Sequence, residues 1–284
     1  MSLRTPNRWL LLVAAAIVMA CIAFLLSSPR ARCALRLAPG FAASPEDPRV
    51  LFEPGAEDVA DRFARALPAA VAQVEEKLGL PFKSEFRVYV CSSHASFARH
   101  IGQPLDTPVR GIAFHRDVWV SPKAFAFEGR DTHEETLAHE LTHLYLGQQL
   151  GFWNRTRFVP AWFQEGLSDW VADTGYERMS RQQAREGLLG GHHLTPDSSG
   201  HLPLMKGAED YGVTWPTYHA QSRMFIEYLH DGREERFRAL LLSVFRGDRF
   251  DDALRESYGC TLESAWEEFM KSLRAGKTDS EPGV

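Results

Sequence analysis

Two histidines four residues apart constrain the architecture of this chain more than any other feature. They are His139 and His143, inside the stretch Thr-Leu-Ala-His-Glu-Leu-Thr-His at 136–143. On an α-helix this spacing puts both imidazoles on one side, about one turn apart, where both reach a single metal ion. Glu140 lies on the adjoining side, near enough to take a proton from water at the metal without being a ligand. The spacing therefore predicts a zinc site with two histidine ligands and Glu140 as general base.

A third ligand is predicted in the helix that follows. Pro160 suits the first position of a helix, and Glu165 lies in an otherwise apolar part of it, where a carboxylate needs a partner. Between His143 and Glu165 lie 21 residues (165 − 143 − 1), enough to end the first helix, turn through 154–156 and return. We therefore expect Glu165 to complete the ligand set for one zinc ion per chain.

Asp169 follows Glu165 by four residues and so shares its helical face. From there it can accept the second ring N–H of a ligand histidine and hold that ring in place. Two alternatives stay open: an exposed Asp169, and a Glu165 that pairs with Arg155 or Arg157. A further alternative for the whole motif is a pair of histidines on a helix surface beside a solvated glutamate.

The rest of the chain predicts an α+β fold, with a small mixed N-terminal sheet and helices ahead of a central motif helix, and a mostly helical C-terminal part. Apolar residues at helical spacing predict a helix over 59–78 that stops at Gly79. Runs of β-branched and aromatic residues at 86–91 and 112–120 predict strands. We expect the strand near 118–121 to present its edge to an extended peptide.

Other signals divide the part of the chain around and after the motif. Thr132 and Glu135 are spaced as a capping box, which predicts that the motif helix starts there. The polar, glycine-rich stretch 176–210 predicts a loop. Helices are expected over 218–230 and in the apolar stripes between 237 and 273.

The N-terminus contains an apolar run without a charged residue, from Trp9 to Leu26. At 18 residues it is long enough to cross or nearly cross a bilayer as a helix, and it is longer than the roughly 7- to 15-residue core of a cleavable signal. We therefore expect an uncleaved membrane anchor, with the body on the periplasmic or extracellular side. The predicted divisions are a membrane or signal segment at 1–28, a linker at 29–54, a catalytic domain at 55–275 and a flexible tail at 276–284.

Composition excludes some classes of function. The chain of 284 residues has a net charge of −5 and is 44% hydrophobic, so it lacks the basic surplus that binds phosphate backbones. Nucleic acid is therefore not an expected partner. Four cysteines make no disulfide framework; Cys91 and Cys260 are either free thiols or a single bridge.

His-Glu-Leu-Thr-His followed by a helix with Glu-Gly-Leu-Ser-Asp at 165–169 resembles the gluzincin metallopeptidases, which include thermolysin and the aminopeptidases. The match covers about 136–171. The resemblance implies a zincin-like fold and cleavage of peptide bonds in a peptide or protein substrate by zinc-activated water. No Gly-x-Met-Glu-Asn signature occurs near the sheet, which argues against an aminopeptidase.

The same resemblance implies a tyrosine or histidine that stabilises the developing oxyanion, supplied by the helical region after the third ligand. Tyr218 is the first candidate, because it opens a predicted helix after the polar loop. Tyr211 and His219 are its rivals, and Tyr218 could equally pack against Phe225 and Leu229 on its own helical face.

Two functions from other classes compete with the peptidase. One is a membrane-anchored binding or chaperone-like module that keeps zinc for stability without turnover. The intact Glu140 argues against it, since a structural zinc site needs no base. The other is a metal-free helical scaffold, which metal analysis distinguishes.

Overall fold

The computed structural model describes residues 8–125, 129–198 and 206–276. In these ranges the chain is a helix-rich α+β protein with a five-stranded mixed sheet, so the predicted fold class is confirmed at this level. The strands are β1 (Ala42–Ala43), β2 (Val50–Phe52), β3 (Val88–Val90), β4 (Gly111–Phe114) and β5 (Asp117–Val120). The helices are α1 (Arg8–Ser27), α2 (Pro29–Ala34), α3 (Glu57–Leu78), α4 (His94–Ile101), α5 (His133–Phe158), α6 (Ala161–Ala172), α7 (Arg181–Leu189), α8 (Trp215–His230), α9 (Glu234–Phe245), α10 (Phe250–Tyr258) and α11 (Leu262–Arg274).

The strand order is β1-β2-β3-β5-β4. β2, β3 and β5 run parallel to one another, whereas β1 pairs antiparallel with β2 and β4 pairs antiparallel with β5 at the two ends of the sheet. Within the described ranges β4 is therefore a free edge, and β5 is hydrogen-bonded on both sides. The expectation that the strand near 118–121 offers its edge is wrong, because β3 and β4 already occupy both edges of β5.

The predicted strand over 112–120 is a hairpin. β4 turns into β5 at His115, which has a φ of 59°, a left-handed conformation that histidine adopts more often than most residues. A local run of β-branched residues predicts extended backbone but does not reveal a two-residue reversal. The reversal matters because it creates the free edge beside the motif helix.

Alternating side chains of the central strands enter two different cores, as the period of two requires. Val88, Val90 and Val118 belong to the large core shared with the helices. Tyr89 and Trp119 face the other way and stack at a centroid distance of 4.2 Å. The sheet is thus covered on both faces and provides a rigid wall for the helices of the large core.

Helix α3 ends where it is predicted to end, with Gly79 in the left-handed conformation. The motif helix α5 also begins as predicted, but the capping box is wrong. Thr132 has φ −126° and ψ 25°, outside the extended conformation that a side-chain cap needs. Its hydroxyl instead donates to the carbonyl of Ala124 and accepts from Arg110, at 3.0 and 2.9 Å.

The break in α5 lies at Gly151, whose φ of 73° and ψ of 161° are not helical. Glycine adopts this conformation without a steric penalty, so the chain changes direction there and continues as helix to Phe158. The turn expected over 154–156 is therefore wrong. α6 begins at Ala161, so Pro160 is the N-cap residue and not the first helical residue that the sequence predicted.

Two other expectations meet more structure than they allowed for. The stretch 176–210 contains α7, which begins with a capping box of Ser180 and Gln183, and a 3₁₀ turn at Ala208–Tyr211. The predicted linker 29–54 contains α2 and the strands β1 and β2. In the predicted tail, residues 277–284 lie outside the described ranges.

The predicted membrane anchor is wrong. The charge-free run of 18 residues (26 − 9 + 1) lies in α1, near the lower end of the roughly 17- to 25-residue range of a crossing helix. In the described part of the chain no helix is both long and apolar enough to span a bilayer. The membrane partner and the extracytoplasmic location depended on this anchor and have no other support.

The two cysteines of the body are free thiols, Cys91 buried and Cys260 half-buried. Burial raises the pKa of the Cys91 thiol. The single bridge left open by the sequence is therefore absent between these two described residues.

Candidate metal centre

Two helices of the large core bring the predicted metal-site residues together. α5 carries His139, Glu140 and His143, and α6 packs across it and carries Glu165 and Asp169. The spacing of four residues within each helix stacks the pairs on one face. The meeting of the two faces is a tertiary contact, and it assembles the site.

His139, His143 and Glu165 form a group that could hold a metal ion. The two Nε2 atoms lie 3.2 Å apart, and Oε2 of Glu165 lies 3.5 Å from Nε2 of His139 and 3.3 Å from Nε2 of His143. Two ligands at about 2.0–2.1 Å from a tetrahedral zinc ion are about 3.3 Å apart. The three separations therefore fit a zinc ion.

The hydrogen bonds of His139 also favour a cation here. Its Nδ1 lies 3.0 Å from Oδ1 of Asp169, so in the neutral ring the proton is on Nδ1 and Nε2 carries a lone pair. That lone pair points at two other acceptors, Nε2 of His143 and the carboxylate of Glu165. Acceptors converge in this way around a metal ion or around a shared proton.

The pKa shifts of Glu165 and His139 also indicate a site that favours positive charge. Burial opposes the charge on Glu165, but the adjacent His143 and the contacts with both histidines hold the pKa of its carboxyl well below the usual range. Burial likewise opposes the charge on His139, yet its contacts with Asp169 and Glu165 raise its pKa well above the usual value. The buried carboxylates thus stabilise positive charge, which a proton or a metal ion supplies.

Asp169 makes the contact that its helical position predicts and a second one that the sequence does not reveal. Its side chain is 2% exposed, so the alternative of an exposed Asp169 is wrong. Oδ1 accepts from the hydroxyl of Thr174 at 2.9 Å as well as facing His139. Oδ2 lies 2.7 Å from Nδ1 of His219, so one carboxylate orients two histidines.

Replacing Asp169 by Ala is expected to weaken zinc binding about 10- to 100-fold, because outer partners of ligand histidines contribute that much. Zinc titration against a competing chelator measures the change. Asp173→Ala is the matched control, since Asp173 lies one turn further along and its side chain is 65% exposed. Equal zinc affinity for Asp169→Ala and Asp173→Ala would contradict the orienting role of Asp169.

Arg155 fixes the backbone behind the ligands. Its Nη1 donates to the carbonyl of His143 at 2.9 Å and its Nε to Oε1 of Gln164 at 2.7 Å. Burial lowers the pKa of this guanidinium. Arg155 thereby ties the end of the motif to the start of α6, next to Glu165.

Glu140 lies next to the candidate metal ligands in the sequence and is 9% exposed. Its Oε2 accepts from the backbone N–H of Ala113 at 2.8 Å. It lies in a cavity of about 580 Å³, together with the three metal-binding candidates. The walls come from the edge strand, the motif helix, α6, the segment after α6 and the start of α8; they include Arg110, Gly111, Ala113, Thr174, Arg178, Trp215 and His219.

The first oxyanion candidate, Tyr218, does not line this cavity. It is fully buried, and its hydroxyl donates to the carbonyl of Lys206 at 3.3 Å. The hydroxyl of Tyr211 donates to Asp197 at 3.1 Å. Of the three candidates only His219 lies in the cavity, because its ring faces α6 while Tyr218 on the same helix faces the large core.

Comparisons with known proteins give structural similarity only. No protein-family profile matches the chain, and no curated protein matches it. Among solved structures, a yeast LTA4 hydrolase in complex with bestatin shares 18% identity at a TM-score of 0.48, over 86% of this chain and 40% of that one. Native leukotriene A4 hydrolase from Saccharomyces cerevisiae has the same identity, TM-score and coverages. A further structure of native yeast LTA4 hydrolase shares 17% identity at a TM-score of 0.49, over 86% of this chain and 39% of that one. This chain therefore spans about 40% of the length of the hydrolases that it matches.

Proposed function

We propose that this chain is a zinc metallopeptidase of the gluzincin type, with one zinc ion held by His139, His143 and Glu165. The observation that carries the proposal is the convergence of these three side chains at 3.2 to 3.5 Å in one cavity with Glu140. A site that only stabilises a fold normally closes its metal with four protein ligands. Here three ligands and a buried acid share a cavity, which is the arrangement of a catalytic site.

A zinc ion in this site would lower the pKa of water and polarise a carbonyl oxygen. Glu140 takes the proton from the attacking water and later delivers it to the leaving nitrogen, as a positioned general acid–base group does. Asp169 keeps the His139 ring in the orientation that exposes Nε2. The reaction expected from these roles is hydrolysis of an amide bond.

The edge strand supports a peptide as the substrate. β4 has no strand on its outer side among the described residues, and Gly111, Ile112 and Ala113 line the cavity. An extended chain can add to such an edge through its main-chain hydrogen bonds. We therefore propose that β4 presents its edge to an extended peptide, a role that the sequence suggested for the strand near 118–121.

His219 is the side chain that we propose for stabilising the oxyanion. Replacing His219 by Ala is expected to lower kcat about 10²- to 10³-fold, the usual cost of losing one oxyanion donor. Tyr218→Phe is the matched control and should retain wild-type kcat, since its hydroxyl bonds to Lys206. Steady-state kinetics on zinc-loaded protein decides between them, and the reverse result would return the role to Tyr218.

The proposed function is tested by digesting a peptide library with the full-length chain, zinc-loaded and chelator-treated, and sequencing the products. New peptide ends that appear only with zinc would support a peptidase. Zinc at one ion per chain without any cleavage would favour the binding or chaperone-like module. If no zinc binds at micromolar free metal, the metal-free helical scaffold is the function class that remains.

A further inference from the structure

The backbone groups of β4 divide between the hairpin and the cavity. The N–H of Ser121 donates to the carbonyl of Arg110 at 2.8 Å, which makes this a hydrogen-bonded pair of the antiparallel ladder. Such pairs alternate with non-bonded ones, so Ile112 and Phe114 bond to β5. Gly111 and Ala113 turn their N–H and C=O groups to the free edge.

One of these outward groups reaches the motif helix. The N–H of Ala113 donates to Oε2 of Glu140 at 2.8 Å. A carboxylate has two oxygens, and a charge-assisted bond to one of them restrains the whole group. The bond therefore fixes the rotation of the Glu140 carboxylate and leaves Oε1 for the proton of the water.

This contact requires that β4 approach α5 closely, and Gly111 makes the approach feasible. A Cβ at position 111 would lie 2.7 Å from Cγ of Glu140 and 3.2 Å from Cγ2 of Thr136. The first distance is shorter than carbon atoms tolerate. Thr136 and Glu140 are both buried, so the side chain of Glu140 or the strand would have to move.

We propose that Gly111 and the Ala113 N–H together form a positioning device for Glu140. The absent side chain at 111 admits the Glu140 stem, and the N–H at 113 orients its carboxylate. The proposal rests on the proposed function in one respect, namely that Glu140 is the general base. Gly111 and Ala113 are positioning residues, since they act on the reaction through Glu140.

The device itself is testable without activity, by amide hydrogen exchange on the metal-free full-length chain. The Ala113 amide faces a cavity, so its protection must come from Glu140. In Glu140→Ala we expect it to exchange at least about 10-fold faster, whereas the Ile112 amide, bonded to β5, should not change. Gly111→Ala should give the same pattern. Unchanged exchange at Ala113 in Glu140→Ala would overturn the proposal, and this variant leaves the strand sequence intact.

The catalytic consequence is tested by a double-mutant cycle. Gly111→Ala should lower kcat roughly 10- to 100-fold, because small misplacements of a reacting group cost that much, with KM and zinc content unchanged. In a Glu140→Gln background the same substitution should cause no further loss. Gly147→Ala on α5 is the matched control, since a Cβ there would meet its nearest side-chain atom at an ordinary 3.5 Å.

Two outcomes distinguish a failure of the positioning device from a failure of the proposed function. An equal loss of kcat in both backgrounds would mean that Gly111 acts on something other than Glu140, and would overturn the proposal. If the zinc-loaded wild type cleaves no peptide while the exchange pattern is as expected, the proposed function fails and the contact between β4 and Glu140 stands.

Discussion

Replacing Glu140 by Gln is expected to reduce kcat by about 10²- to 10⁴-fold, the contribution of a well-positioned acid–base group, while zinc stays at one ion per chain. The reason is that an amide keeps the size of the side chain and still accepts from the Ala113 N–H, a bond that is 2.8 Å long in the native protein. It cannot accept the proton of the attacking water. Only the chemical step should therefore be lost.

The measurement is peptide hydrolysis and zinc content on the same preparation. Glu134→Gln is the matched control, because it makes the same chemical change on the same helix at a side chain that is 73% exposed. Loss of zinc together with activity in Glu140→Gln would mean that Glu140 is a ligand. Full hydrolysis by the metal-loaded variant would exclude Glu140 as the base.

Replacing Glu165 by Ala is expected to have the largest effect on the metal. The substitution removes one of the three proposed ligand atoms and leaves His139 and His143 without the carboxylate that lies 3.5 and 3.3 Å from them. The loss of zinc affinity should exceed the roughly 10- to 100-fold that outer partners contribute. Activity at limiting zinc should fall with it.

Zinc affinity is measured by competition with a chelator, and thermal unfolding of the metal-free proteins checks that the variant folds. Glu135→Ala is the matched control, since Glu135 is an acid of the same cavity that lies outside the ligand group. If both variants lost zinc equally, general negative charge rather than coordination would hold the ion. A Glu165→Ala protein with wild-type affinity would remove Glu165 from the ligand set.

The helical spacing of the sequence was sufficient for the parts of the site that lie within one helix. His139 and His143 share a face of α5, and Glu165 and Asp169 share a face of α6, because residues four apart lie one above the other. The contact between Asp169 and His139 was also predicted, because Asp169 shares the helical face of Glu165. Their roles in catalysis remain predictions.

Hydropathy and local propensity were less reliable where the secondary structure depended on distant residues or on the backbone conformation of a single residue. The motif helix breaks at Gly151 and not at 154–156. The positive φ of Gly151 depends on the surroundings of that residue, which local propensity does not describe. The predicted linker contributes β1 and β2 to the sheet. Strands of two or three residues have too few side chains for a periodic signal.

Only the tertiary structure decided which strand edge faces the site, and which of the neighbouring residues Tyr218 and His219 does so. Strand order depends on pairings between residues far apart in sequence, so the sequence did not reveal that β5 is enclosed and β4 is free. Tyr218 and His219 are neighbours on α8, and a helix turns about 100° per residue. The packing of α8 on α6 therefore directs one ring into the core and the other to Asp169. Periodicity determined that these residues are helical, but the orientation of a helix about its own axis is set by what it packs against.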